Sequence, residues 1–280
     1  MKYEFISRYL DAPFVPGRAL DIFVPEKITQ ETAVFFIHGG GWSSGSRTLY
    51  HRIMEQLNEA GYLCATTDYR LANPVRPAPG SGISAVEQLQ DCREAYDVLI
   101  TYLKEHDLPL KTAVFGASAG AHLASLLGCA APGACGETVK LANGWIKPSK
   151  LILQSVPVTL EPWAEIFPPI SASIRDCACG GVSYEQDPEL YRRLSMTSYP
   201  GADNPQCFYM EAGNEHMFPA ELSFAAAQKQ HDCGGSPVWK QYHGAEHGFF
   251  YDLSREVQQR AWTDLLKFLN DDPVSGAELL

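Results

Sequence analysis

Hydrophobic and polar positions along this 280-residue chain change rhythm twice. Two short runs of β type open it, Tyr3 to Leu10 and Ala19 to Val24, and the turn formers Pro13, Pro16 and Gly17 between them predict an antiparallel hairpin at a sheet edge. Six further apolar runs follow: Ala33 to Ile37, Leu63 to Thr67, Ala113 to Phe115, Leu151 to Ser155, Phe208 to Glu211 and Val238 to Tyr242. Segments of helical period separate them, an alternation that predicts a mostly parallel sheet covered by helices on both faces.

The clearest helices are expected over Leu49 to Ala60, Ala85 to His106, Ala119 to Cys129, Ala220 to Gln230 and Ser254 to Asn270. Ser84 is placed to cap the second, and Pro109 lies beyond its end. In the last, Val257, Ala261, Leu265 and Leu269 recur at helical spacing, with Trp262, Leu266 and Phe268 widening the stripe, so it should pack on the core. Residues Asp271 to Leu280 carry no such pattern and are expected to fray.

The second change of rhythm spans about residues 157–206, rich in Pro, Gly and aromatics, with one short helical stretch at Pro188 to Leu194. An insertion of that length at the carboxyl edge of a sheet is where lids and substrate pockets are built. With 45% hydrophobic and 20% charged residues, we expect one α/β domain over 1–280 carrying this lid-like insertion.

A net charge of −11 disfavours nucleic-acid or anionic-membrane partners, which need a basic face. Lys2, Glu4 and Arg8 interrupt the apolar residues of the N-terminus, and no run approaches a membrane span, so a cytoplasmic protein is expected. The eight cysteines are then reduced thiols. Cys177 and Cys179, in CACGG, lack the second Cys pair that zinc would need, so no metal is expected.

Chemistry enters at Thr112 to Ala124, TAVFGASAGAHLA. A β-type run stops at Gly116, Ser118 stands between two glycines, and helix formers follow, the outline of a nucleophile elbow. A serine hydroxyl needs a base to take its proton and a third group to orient that base. His247, in the loop HGAEHGFF after the last strand, is the best-placed base, because residues at that strand end converge on the elbow's crevice. His243 and His247 bracket Glu246 at the spacing of a zinc-protease helix, but Gly244 and the preceding strand argue against a helix. Upstream, His38-Gly39-Gly40-Gly41-Trp42 follows a buried run, and its bare amides suit an oxyanion hole.

Taken together, HGGGW at His38, DYRL at Asp68, GASAGAHLA around Ser118 and EHGFF around His247 resemble the α/β-hydrolase superfamily, and within it the carboxylesterases of the hormone-sensitive-lipase and acetyl-xylan esterase-like branch. The pieces stand in the family's order over nearly the whole chain. The resemblance implies Ser118 as nucleophile, His247 as general base and acid, and the amides of Gly40, Gly41 and Ala119 as oxyanion donors. Only 37 residues precede His38, which leans toward the uncapped, small-acyl esterases. His122, in the GAHLA stretch, is expected to pack or hydrogen-bond rather than catalyse, and Asp68 and Arg70 to form an ion-paired strand end.

The chain departs from the family at the acid. Its usual column, in MEAGNEHMFP, holds His216, and the nearest carboxylate is Glu215, one residue earlier. Glu215 is therefore the expected acid, with Glu211, Asp187 and Asp252 as alternatives. Trp163, Phe167, Tyr184 and Met217 lie where they could line a pocket. The implied activity is cleavage of a small-acyl carboxylic ester, acetylated carbohydrate included, with no cofactor; an arylformamidase, or a binding module that has lost catalysis, is the alternative.

Overall fold

Every apolar run singled out as a strand forms one. The computed structural model describes residues 3–9, 18–75, 80 and 82–279. The strands are β1 (Tyr3–Tyr9), β2 (Ala19–Pro25), β3 (Thr32–Ile37), β4 (Cys64–Thr67), β5 (Lys111–Ala117), β6 (Lys150–Gln154), β7 (Gln206–Asn214), β8 (Val238–Glu246) and β9 (Glu278–Leu279). They make one sheet in the order β1-β2-β4-β3-β5-β6-β7-β8-β9. The strands from β4 to β8 run parallel, while β1, β2 and β9 pair antiparallel at the two edges. Pro13, Pro16 and Gly17, to which the hairpin turn was assigned, lie outside the described residues.

The expected fraying of the C-terminal residues is corrected by β9, where Leu279 and Glu278 pair with Val238 and Trp239. Two backbone pairs are too few to leave a periodic signature in sequence.

The helices are α1 (His51–Glu59), α2 (Ala85–Glu105), α3 (Ala119–Cys129), α4 (Pro168–Ser173), α5 (Pro188–Arg193), α6 (Ala220–Asp232) and α7 (Glu256–Leu269). Ser84 caps α2 in a reciprocal box with Glu87. Strand side chains alternate between two cores. Ala33, Phe35 and Ile37 join Leu89, Leu99 and Leu123 of α2 and α3, whereas Val34 and Phe36 join Ile53, Leu57, Leu265 and Phe268 of α1 and α7 on the opposite face.

The 155–205 segment is anchored to the first core. After α4 it runs into a π turn over Ile174–Ala178, and Ile174, Cys177, Leu190, Tyr191 and Leu194 pack with the α2 and α3 side chains. Strand order reverses between β3 and β5: the chain leaves β3 toward β4 on one side and steps from β5 through β8 on the other. The crevice at the carboxyl ends of these two strands is the natural binding position in such a sheet.

Candidate active site

Ser118 sits on that crevice with φ 53° and ψ −124°, in the sharp turn between β5 and α3. A non-glycine residue pays strain for this conformation, and the surroundings fix it. A Cβ at Gly116 would lie 2.3 Å from the Gly120 carbonyl, and one at Gly120 would lie 2.2 Å from the Ile37 carbonyl, so both flanking positions demand glycine. The Ser118 amide donates to the Gln154 carbonyl at 2.9 Å, tying the turn to β6. Ala119 opens α3, where an amide has no carbonyl one turn back to bond.

The loop after β3 runs against this turn. A side chain at Gly39 would meet the Ala117 carbonyl at 2.7 Å and the Ser118 Cβ at 3.4 Å. Gly40 and Gly41 have φ of 121° and 58°, and among the described residues no group accepts their amides. The loop is locked at both ends. The buried His38 ring donates from Nδ1 to the Gly39 carbonyl at 2.8 Å and stacks on Tyr69 at 4.2 Å. Trp42 holds the other end: its carbonyl accepts from Gln88 Nε2 at 2.6 Å and Ala72 N at 2.9 Å, and its Nε1 donates to His122 Nδ1 at 3.2 Å. His122 Nε2 in turn donates to the Leu194 carbonyl at 2.6 Å. Burial pulls the His122 pKa down to about 4, so the ring is neutral and bridges the glycine loop, α3 and the insertion.

Asp68 and Arg70 are ion-paired, but not to each other. Asp68 pairs with Arg47, just past the glycine loop, and also accepts the Arg47 amide at 2.7 Å, while Arg70 pairs with Asp91 at 2.7 Å.

β8 reaches further than its apolar run, to Glu246, by means of an irregularity: Ala212 pairs with Tyr242 but Asn214 pairs with Glu246. Such a bulge re-aims the residues after it, and His247 follows at once. His243 therefore lies in a strand and His247 just past its end, not together on a helix face.

The His247 Nδ1 sits 2.7 Å from Glu215 Oε2. Nδ1–H donating to a carboxylate leaves Nε2 as the basic nitrogen. The other Glu215 oxygen accepts the amides of His216 at 3.0 Å and Met217 at 2.8 Å. Burial would raise the Glu215 pKa, but the hydrogen bond and charge of His247, with backbone amides, outweigh it and hold the carboxyl below its usual range. The other carboxylates considered are elsewhere. Asp187 caps α5 through the Leu190 amide, Asp252 accepts from Ser254, and Glu211 is buried within β7.

Ser118 and His247 line one cavity of about 420 Å³. Its walls are Trp42, Leu49, Tyr50, Ile170, Met217 and Phe218, with Gly40, Gly41 and Ser173 beside them. Of the four residues proposed as lining, Met217 takes part. Trp163 instead packs on Phe218, whose ring lies 5.8 Å from that of His247, Tyr184 packs on Tyr191, and Phe167 is exposed. Ile170 and Ser173 went unnoticed in sequence, although Pro168-Pro169 is a helix-start signal. Seven of the eight cysteines are buried, Cys177 and Cys179 among them. No described helix is long and apolar enough to cross a membrane.

The BD-FAE family model matches residues 20–229. Among curated proteins, Esterase LipQ of Mycobacterium tuberculosis is 25% identical over 274 residues, covering 92% of this chain. Lipase 2 of Moraxella sp. is 34% identical over 107 residues, covering 36% of this chain. The chain spans 60% of the first relative and 22% of the second. Similar solved structures include a truncated carbohydrate esterase from gut microbiota, with a TM-score of 0.75 at 16% identity and 96% of both chains covered. Esterase B from Lactobacillus rhamnosis superposes with a TM-score of 0.76 at 19% identity, covering 96% of this chain and 86% of that one. Glycine loop, elbow turn and histidine loop thus occur in a chain that belongs to the BD-FAE family and has the α/β-hydrolase fold.

Proposed function

We propose that the protein is a serine hydrolase of carboxylic esters with small acyl groups, acting through an acyl-enzyme. The observation that carries this reading is the placement of Ser118 and His247 on one cavity, with the far nitrogen of the imidazole bound to the shielded carboxylate of Glu215. His247 Nε2 takes the Ser118 proton as the hydroxyl oxygen attacks the ester carbonyl. The Glu215 carboxylate holds the ring in the required tautomer and stabilises the imidazolium. Charge on the tetrahedral oxygen falls to the amides of Gly40, Gly41 and Ala119, each such donor contributing about 2.7–4 kcal/mol. Collapse breaks the C–O bond, and the alcohol leaves with the proton from His247. Water then repeats the sequence in reverse and frees Ser118.

The lining supports a neutral substrate. None of the described lining residues is Lys, Arg, Asp or Glu, so a charged acyl group would lose hydration without gaining a counter-ion. The names of Esterase LipQ and Lipase 2 agree with ester cleavage.

The test combines a fluorophosphonate probe with three substrates. Ser118 should be labelled in the wild type and not in Ser118→Ala, and the variant should lose on the order of 10⁶-fold in kcat while staying folded. Short acetyl esters and acetylated sugars should be turned over. Rapid deformylation of N-formylkynurenine with no ester turnover would make the protein an arylformamidase, and folded protein that resists the probe would make it a binding module.

A further inference from the structure

Gln154, at the carboxyl end of β6, stands between the two halves of the site. Its carbonyl accepts the Ser118 amide at 2.9 Å. Its side chain is fully buried, and the amide orientation that satisfies its surroundings sets Oε1 2.8 Å from Phe249 N and 2.9 Å from Phe250 N. Those residues follow His247 by two and three positions. The same turn is gripped from α7, where Gln258 Nε2 donates to the Phe249 carbonyl at 2.8 Å.

We propose that Gln154 is a positioning residue whose side-chain oxygen sets the separation of His247 from Ser118. One residue grips the nucleophile's amide with its backbone and the base's loop with its side chain, so the two reacting groups share a single rigid reference at the end of β6. Removing the acceptor leaves two inward-facing amides unpaired, and the loop must move to find others. A shift near 1 Å in such a site lowers the rate about 10²-fold. The proposal rests on the reading of Ser118 as nucleophile and His247 as base.

Gln154→Met keeps the shape and removes the oxygen; Gln154→Glu keeps an acceptor oxygen in place. In folded Gln154→Met, kcat on a short acetyl ester should fall about 10- to 100-fold with KM within about threefold, and Gln154→Glu should recover kcat to within about threefold of wild type. Hydrogen exchange at the Phe249 and Phe250 amides should accelerate in Gln154→Met alone. A Gln154→Met enzyme with kcat within about twofold of wild type overturns the proposal, as does a kcat loss that Gln154→Glu shares or that KM follows in parallel. If Gln154→Met does not fold, Gln154→Asn, one methylene short of the loop, is read by the same criteria. Wild-type protein that neither cleaves esters nor takes the fluorophosphonate defeats the hydrolase reading instead. Exchange then decides alone, unchanged rates at the two amides overturning the tether.

Discussion

Glu211 and Glu215 stand four residues apart, one within β7 and one just past its end, and both side chains are shielded from water. For Glu211, burial dominates: opposed by the Ser223 side chain and the Val156 amide and reinforced by the charge of Glu215, it pushes the pKa up to about 8. One Glu211 oxygen has no hydrogen-bond partner among the described residues. For Glu215, burial acts in the same direction, but the His247 hydrogen bond and charge reverse the outcome. The contrast teaches that depth alone does not decide whether a carboxyl is an acid waiting or a base in place; the partner does.

Exchanging either carboxyl for an amide breaks the contrast most sharply. Glu215→Gln should lower kcat about 10⁴-fold with little change in KM, whereas Glu211→Gln should keep kcat within about threefold. Steady-state kinetics of both variants checks this, and the reverse pattern would transfer the acid's role to Glu211.

Stability separates the pair next. An unfolded glutamate titrates near 4.5 and Glu211 near 8, so between those values the unfolded chain has lost a proton that the folded one keeps. Stability therefore falls as pH rises through that window, by up to about 4 kcal/mol from this group. Denaturant unfolding should show the advantage of Glu211→Gln over wild type widening by about that amount from pH 4.5 to pH 8. A constant difference would mean that Glu211 ionises normally. Glu215 has the opposite sign: its lowered pKa contributes stability above about pH 4.5 that is lost on further acidification.

His122 gives the smallest effect and sharpens the rule with a base. Its folded pKa of about 4 against 6.5 unfolded means that the unfolded chain binds the extra proton between those values. Its contribution, present above pH 6.5, should fall by about 3 kcal/mol as pH drops to 4. Ring titration by NMR should find a midpoint near 4 with the proton on Nε2; a midpoint near 6.5 would show that the bridge does not exclude water.

How much of this was legible in sequence depends on how local the cause is. Strands β3 to β8 and the elbow announced themselves through apolar runs and through glycines whose necessity is steric. The helix at Pro168 had a start signal in its two prolines, but Ile-Ser-Ala-Ser offers no amphipathic stripe to continue it. Asp68 found Arg47 rather than Arg70 because the glycine loop folds back onto β4, a tertiary event. Glu215 could be singled out as the nearest carboxylate, but the register that brings it to His247 depends on the β8 bulge, at which the isolated Gly244 hints without fixing the pairing. Gln154 carries no motif at all; only the folded chain reveals what it touches.

The imidazole of His122 ties two distant segments to each other. Since one neutral ring is the shared fastening of Trp42 and Leu194, displacing the chain around Leu194 would also unfasten the end of the glycine loop. The segment around Leu194 and the glycine loop are thus mechanically joined, and of the cavity's walls the exposed side chains of Met217 and Leu49 should be the first to yield to a bulkier ligand.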